Sequence, residues 1–338
     1  MSEKFCAVRF EPRPERWRSP SNPTVTHSNP STADLLASAG ITVFERGWLS
    51  ANNILIQGDG PTALVDTGYV SHADQTLALL GQVLGGKPLD LLLNTHLHSD
   101  HCGGNAALQQ RYPQVSTHIP PGHAQYVADW DPVALTYEPT GQHCPRFHHD
   151  AVLLPGTSIQ LGSHTWQIHA AQGHDPHSIV LFQPEHRVLL SADALWEHGF
   201  GVVFPELEGI SAFSEVAETL HLIEQLDPLA VVPGHGPVFQ DVTGALQRAR
   251  AKLDYFVKNP AKHHRHGLKV LVKYKLLEWQ SVEVHEIMAW AFRTTYLRDA
   301  MPLKGQDIEA GTAWMQTLLN DLARSNALCI EGSVVRNV

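Results

Sequence analysis

The stretch "NTHLHSDHCGG", residues 94–104, sets three histidines and an aspartate within six positions. Neutral imidazoles with a carboxylate suit the borderline divalent metals, zinc, iron or manganese, better than calcium or magnesium. The segment leaves the apolar run "LDLLLNT" and enters "NAALQQRY", so it reads as a strand end passing into a helix. On irregular backbone of this kind, His96 and His98 can share one ion while Asp100 and His101 face a second. A single HxH is common by chance in a polar loop, so the rest of the chain has to decide.

Four more islands have the same form, each placing one potential ligand after a short apolar run. Asp66 follows "TALV", His174 lies in "HAAQGHDPHS", Asp193 in "VLLSADAL" and His235 in "LAVVPGHGPV". Taken singly, Asp66 reads as a turn cap, Asp193 as a helix N-cap and His235 as a loop histidine. Five islands in one chain are a poor match to caps.

The elements that must position them can be read from period and composition. Residues 1–38, rich in Pro, Ser, Asn and Arg, read as an extended arm. Strands are expected at Ile41–Phe44, Asn53–Ile56 and Thr62–Val65, the last two joined as a hairpin at Asp59–Gly60. Further strands are expected at Trp166–His169, Ile179–Phe182, Val188–Ser191 and Ala230–Val232, with helices at Ala73–Leu84 and Ser211–Gln225. After Gly236 helical stripes take over: Val242 to Phe256, Val284 to Phe292 and Ala313 to Leu322. The fold class is therefore α/β or α+β, packed sheets flanked by helices, with a mostly helical C-terminal part.

In this order the islands resemble the metallo-β-lactamase superfamily, in its hydrolase branch with type II glyoxalases, thioesterases and lactonases. The resemblance covers roughly residues 40–240. It implies an αββα sandwich at 39–240 between the arm at 1–38 and a helical domain at 241–338. It also implies one metal held by His96, His98 and His174, another by Asp100, His101 and His235, and Asp193 bridging the two. Asp66 matches an aspartate that orients the solvent or a ligand histidine. The bridging Asp193 points to the glyoxalase type of dinuclear centre, and His98 stands where flavo-diiron relatives carry a glutamate. The implied cofactors are two divalent ions, zinc first, with iron or manganese as alternatives. A hydroxide shared by two ions ~3.5–4 Å apart would attack a thioester, lactone or similar activated acyl carbonyl, Asp66 and Asp100 serving as catalytic carboxylates.

Composition bounds these readings. Residues 241–338 carry 14 Lys/Arg against 10 Asp/Glu, while 1–240 carry 10 against 24, so the body would repel a polyanion. A phosphodiesterase or ribonuclease on the same metals is the runner-up, supported by Lys262, His263, His264, Arg265 and Lys269 in a tail that resembles a winged helix. A mononuclear iron persulfide dioxygenase is a third reading. No run approaches the roughly 20 apolar residues of a membrane span, the four cysteines form no CxxC pair, and a reducing cytoplasm is the expected compartment. The expected partner is a small acyl substrate rather than membrane or nucleic acid, and a homodimer stays open. Candidate substrate contacts are His177, which breaks the usual pattern after His174, and Trp196, Phe200 and Phe204 in "ALWEHGFGVVFPELEG". The long loop "YEPTGQHCPRFHHD" offers His143, Phe147, His148 and His149, which could equally cover the core.

Overall fold

Short strands whose two faces are both apolar bury both faces between packed layers. In the computed structural model, which describes residues 30–302 and 308–338, eleven strands make two sheets. The first has the order β1 (Ile41–Phe44), β2 (Asn53–Ile56), β3 (Ala63–Val65), β4 (Leu91–Leu93), β5 (Ser116–Ile119) and β6 (Ala151–Val152). The second comprises β7 (Ser158–Leu161), β8 (His164–Ala170), β9 (Ile179–Gln183), β10 (Val188–Ala192) and β11 (Ala230–Pro233), in the order β11-β10-β9-β8-β7. The expected hairpin pairs Ile54 with Val65 and Ile56 with Ala63.

Alternation decides which side chain enters which layer. Ile54, Ile56, Val65 and Leu93 from one sheet meet Ile179, Leu181, Val188, Leu190 and Val232 from the other in the central core. Their sequence neighbours face outward. Leu55, Leu64 and Leu92 pack under helices Ala73–Leu84 and Asn105–Arg111. Val180, Phe182, Leu189 and Val231 pack under Phe213–Leu226 and Val242–Lys258. The αββα layering follows from this register.

Trp166, fully buried in the central core, is the largest side chain there. Trp166→Ala is expected to lower unfolding free energy by about 3–5 kcal/mol, read as a shifted denaturant midpoint at constant slope.

The C-terminal part has more strand than its helical stripes suggest. Helix Pro260–Trp279, β12 (Ser281–Glu283), helices Val284–Arg293 and Ile308–Arg324, β13 (Leu328–Glu331) and β14 (Val334–Asn337) follow in the order of a winged helix. The three strands pair as β12-β14-β13. Its core gathers Leu268, Val272, Ile287, Met288, Leu318 and Leu322. Two further differences concern the chain's start and its tail helix. Thr32–Ser38 is a helix, closed by a capping box in which Ser31 and Asp34 satisfy each other's backbone N–H groups; residues 1–29 of the expected arm lie outside the described residues. Part of the expected basic cluster is buried or paired. His263 is buried and accepts the Val203 N–H, while Arg265 and Lys269 are both paired with Asp321.

Candidate metal centre

Strands β3 and β4 run parallel, as do β10 and β11, and β8 is antiparallel to β9, as β9 is to β10. Asp66, His96, His174, Asp193 and His235 each lie within four residues of the carboxyl end of one of these strands. All five islands of the sequence therefore arrive at one edge of the sandwich. Ile179 N donates to Thr95 O at 2.9 Å and Asn52 N to Gly234 O at 2.7 Å, joining loops of the two sheets across the site. His98 stands at the N-terminal boundary of the one-turn helix Ser99–Cys102, which carries Asp100 and His101.

Six imidazoles and carboxylates converge there as two clusters. His96 Nε2, His98 Nδ1 and His174 Nε2 lie 2.8–3.2 Å from one another. Four ligands at the ~2.0–2.1 Å of a zinc–nitrogen bond stand about 3.3 Å apart in a tetrahedron, so this triangle has the size of a metal face. Asp100, His101 and His235 form the second cluster, with His235 Nε2 3.2 Å from Asp100 Oδ2. Asp193 lies between them. Its Oδ2 is 3.3 Å from His174 Nε2, and its Oδ1 is 3.4 Å from His101 Nε2 and 3.8 Å from His235 Nε2.

Neighbours fix the tautomers. His174 Nδ1 donates to Val202 O at 2.6 Å, leaving the Nε2 lone pair toward the cluster. Asp66 accepts from Thr95 N, Thr95 Oγ1 and His101 Nδ1, at 2.9, 2.8 and 2.7 Å. Both of its oxygens are engaged and it is buried, so of the two roles expected for Asp66 the geometry supports orienting a histidine. His101 Nε2 is then a buried nitrogen with no hydrogen-bond partner, a lone pair that a cation would satisfy. Asp175, beside His174 in sequence, sits behind His98 instead, with Oδ2 3.8 Å from its Nε2.

Burial, reinforced by repulsion from His101, His98 and His174, lowers His96 well below the ordinary histidine range; burial and His174 bring His98 down to about 4. Both are neutral donors near pH 7. Burial also disfavours protonated His101, but Asp66, Asp193 and Asp100 outweigh it and raise its pKa well above the usual value, so a cation at Nε2 would take the place of a proton. For Asp193 burial is outweighed by His235, His101 and His174, which hold it well below the carboxylate range.

Glycines admit this crowding. A Cβ on Gly201 would stand 2.4 Å from His174 Nδ1, and one on Gly103 2.6 Å from Val70 N. The Gly103–Gly104 pair adopts helical angles, φ −61° and −83°, so it serves close backbone approach to residues 67–70 rather than a tight turn.

A cavity of about 520 Å³ opens on the two clusters. Trp196 and Phe204 line it; Phe204 stacks edge-on against His98, and the Trp196 Nε1 lies 3.3 Å from Asp193 Oδ1. Phe200 lines it too, though 1% exposed and mostly part of the core under the second sheet. His177 is not among the lining residues. It packs edge-to-face on His123 and covers Gly122, because the Asp175–Pro176 turn carries it away. The long loop both covers core and reaches the cavity: Phe147 is buried with Cys102, Tyr137 and Cys144, while Thr140 and Gln142 line the cavity. Sequence reasoning missed Trp48, which stacks flat on His235 at 5.4 Å, and Tyr274 and Lys252, which reach the cavity from the C-terminal helices.

Residues 46–235 match the metallo-beta-lactamase superfamily. The chain belongs to that superfamily. As a member it is a metal-dependent hydrolase. It is 24% identical over 256 residues to the beta-lactamase-like protein 2 homolog of Caenorhabditis elegans, covering 74% of this chain and 76% of that one. It is 32% identical over 151 residues to a hydroxyacylglutathione hydrolase of Stenotrophomonas maltophilia, covering 45% of this chain and about half, 48%, of the other. Among solved structures, a metallo-beta-lactamase family protein from Thermus thermophilus superposes with a TM-score of 0.52 at 17% identity, over 88% of this chain and 99% of that one. This superfamily member has no helix, among the described residues, long and apolar enough to cross a membrane.

Proposed function

We propose that the protein hydrolyses an activated acyl substrate, a thioester or lactone, at a dinuclear centre in which His96, His98 and His174 hold one ion and Asp100, His101 and His235 the other. The observation that carries this reading is the placement of Asp193, one oxygen toward each cluster. Charge balance supports it. Asp66, Asp100, Asp175 and Asp193 share one site, and among the described residues their ion-pair partners are histidines alone. Four carboxylates withdrawn from water call for compensating positive charge, which two divalent cations match. The mixed imidazole and carboxylate donors favour zinc, iron or manganese.

When bound, such ions supply a water of low pKa as nucleophile and polarise the carbonyl under attack. The chain's own residues do the rest. Asp66 holds His101 in one orientation. Asp100, the most exposed carboxylate of the cluster at 15% of its side chain, faces the cavity and takes up the proton that the leaving group needs. Trp48, Trp196 and Phe204 wall off water and hold an apolar acyl chain. Residues 39–240 carry this chemistry and 241–338 close the cavity.

Similarity to a hydroxyacylglutathione hydrolase supports an acyl thioester over a phosphodiester. So does helix Ile308–Arg324, in the position of a winged helix's recognition helix, which carries Glu309 and Asp321 against Arg324 alone and lacks the basic face that nucleic acid requires. A metal assay with a substrate panel tests the reading: an acyl-CoA thioester, S-lactoylglutathione, an acyl-homoserine lactone and bis-p-nitrophenyl phosphate. The expected result is turnover of an acyl member, lost in His96→Ala. Turnover of the phosphodiester alone would overturn it.

Asp66→Asn is expected to weaken metal retention about 10–100-fold, because the amide cannot accept from His101 and both Thr95 donors. Dialysis against a graded chelator series reads this directly; retention equal to the native protein would assign Asp66 to packing.

A further inference from the structure

The lysines lining the cavity do not stand alike. Lys269 is paired with Asp321 at 3.1 Å, and Lys273 donates to Ala327 O, Asn337 Oδ1 and Val338 O. Lys252 has one acceptor, the Phe200 carbonyl at 2.8 Å, and no carboxylate within ion-pair distance among the described residues. Its ammonium carries three N–H groups, so two are uncommitted. It lies 4.8 Å from the Phe200 ring centre, 5.8 Å from Phe256 and 5.9 Å from Trp196. The faces of these rings favour a cation and do not neutralise it. Burial lowers its pKa to about 8, against the pull of Asp193, so it is still mainly charged at pH 7. Neighbouring His266 is neutral there, its pKa brought to about 4 by burial and then by Lys252 and Lys269. Lys252 is thus a half-buried charge with no carboxylate at ion-pair distance among the described residues, in a cavity otherwise walled largely by apolar groups.

We propose that Lys252 binds a carboxylate carried by the substrate itself, so that the enzyme selects apolar acyl chains bearing one anionic group remote from the scissile carbonyl. A single uncommitted ammonium matches a monoanion. A doubly charged phosphate would need further donors, and the other lysines are already engaged. The assignment of substrate class rests on the acyl-hydrolase reading above; the binding role of Lys252 does not.

The test compares glutaryl thioester of N-acetylcysteamine with its ω-methyl ester on the metal-loaded protein. The native enzyme is expected to prefer the charged thioester. Lys252→Met is expected to remove that preference, lowering kcat/KM for the charged member about 10-fold or more, chiefly through KM, and Lys252→Arg to restore part of it. Equal losses for both thioesters, or no preference in the native enzyme, would overturn the proposal. Calorimetry with monomethyl glutarate supplies the second arm: native protein should bind it about 10-fold or more tightly than Lys252→Met, and equal affinities would refute the role. If neither thioester is cleaved, the substrate panel above decides the acyl-hydrolase reading, while the calorimetric comparison still decides Lys252.

Discussion

Asp193→Ala is expected to lower hydrolysis by about 10³-fold or more while the protein stays folded. The reason is geometric. Asp193 is the only carboxylate among the described residues placed within 4 Å of histidines from both clusters, reaching His174 with one oxygen and His101 and His235 with the other. Its loss leaves each cluster with three side chains and takes away the group that couples them. Metal content should fall from two ions toward one per chain, and because each cluster retains its histidines the residual ion should persist. Metal analysis beside the kinetic assay checks both points. An alanine variant that keeps two ions and native turnover would refute the bridging role.

Gly234→Ala is expected to be nearly as damaging, by adding one carbon that touches no substrate. A Cβ there would stand 2.3 Å from Asp193 Oδ1, 3.0 Å from the Ala192 carbonyl carbon and 3.0 Å from His101 Cε1. Gly234 is not among the positive-φ glycines, so alanine brings no backbone strain of its own and the clash falls on the Asp193 carboxylate, which must swing away. A misplacement near 1 Å costs on the order of 10²-fold in rate. The predicted signature is a loss of that size in kcat with a melting temperature within a few degrees of native. An inactive variant that also melts far lower would mean that the layer itself had come apart.

Much of the site was legible because most candidate ligands follow a short apolar strand, and strands ending on one edge of a sandwich bring such positions together. "TALV", "LDLLLNT", "VLLSA" and "LAVV" are apolar enough to be recognised without knowing their partners. By contrast, β5 carries Ser116 and His118 in a four-residue strand, and β6 has only two residues, too short for a period to show. The wing strands β12 to β14 failed for the same reason. Trp48, Tyr274 and Lys252 were illegible for a different one. Lys252 and Tyr274 approach the two clusters only because helices Val242–Lys258 and Pro260–Trp279 close over the sandwich, and Trp48 because the β1–β2 loop meets His235 of the other sheet, tertiary facts with no local trace. The residues after His174 show both limits at once. His177 looked like a mouth-lining departure, whereas the turn sends Asp175 behind His98 and His177 toward His123.

The central claim is that two clusters of one chain hold two ions at a single centre. It is tested most directly by metal stoichiometry on the protein as purified, with elemental analysis and native mass spectrometry read together. The account predicts two zinc, iron or manganese ions per chain, with one lost in Asp193→Ala. One iron per chain in the native protein, accompanied by oxygen uptake in place of hydrolysis, would contradict it.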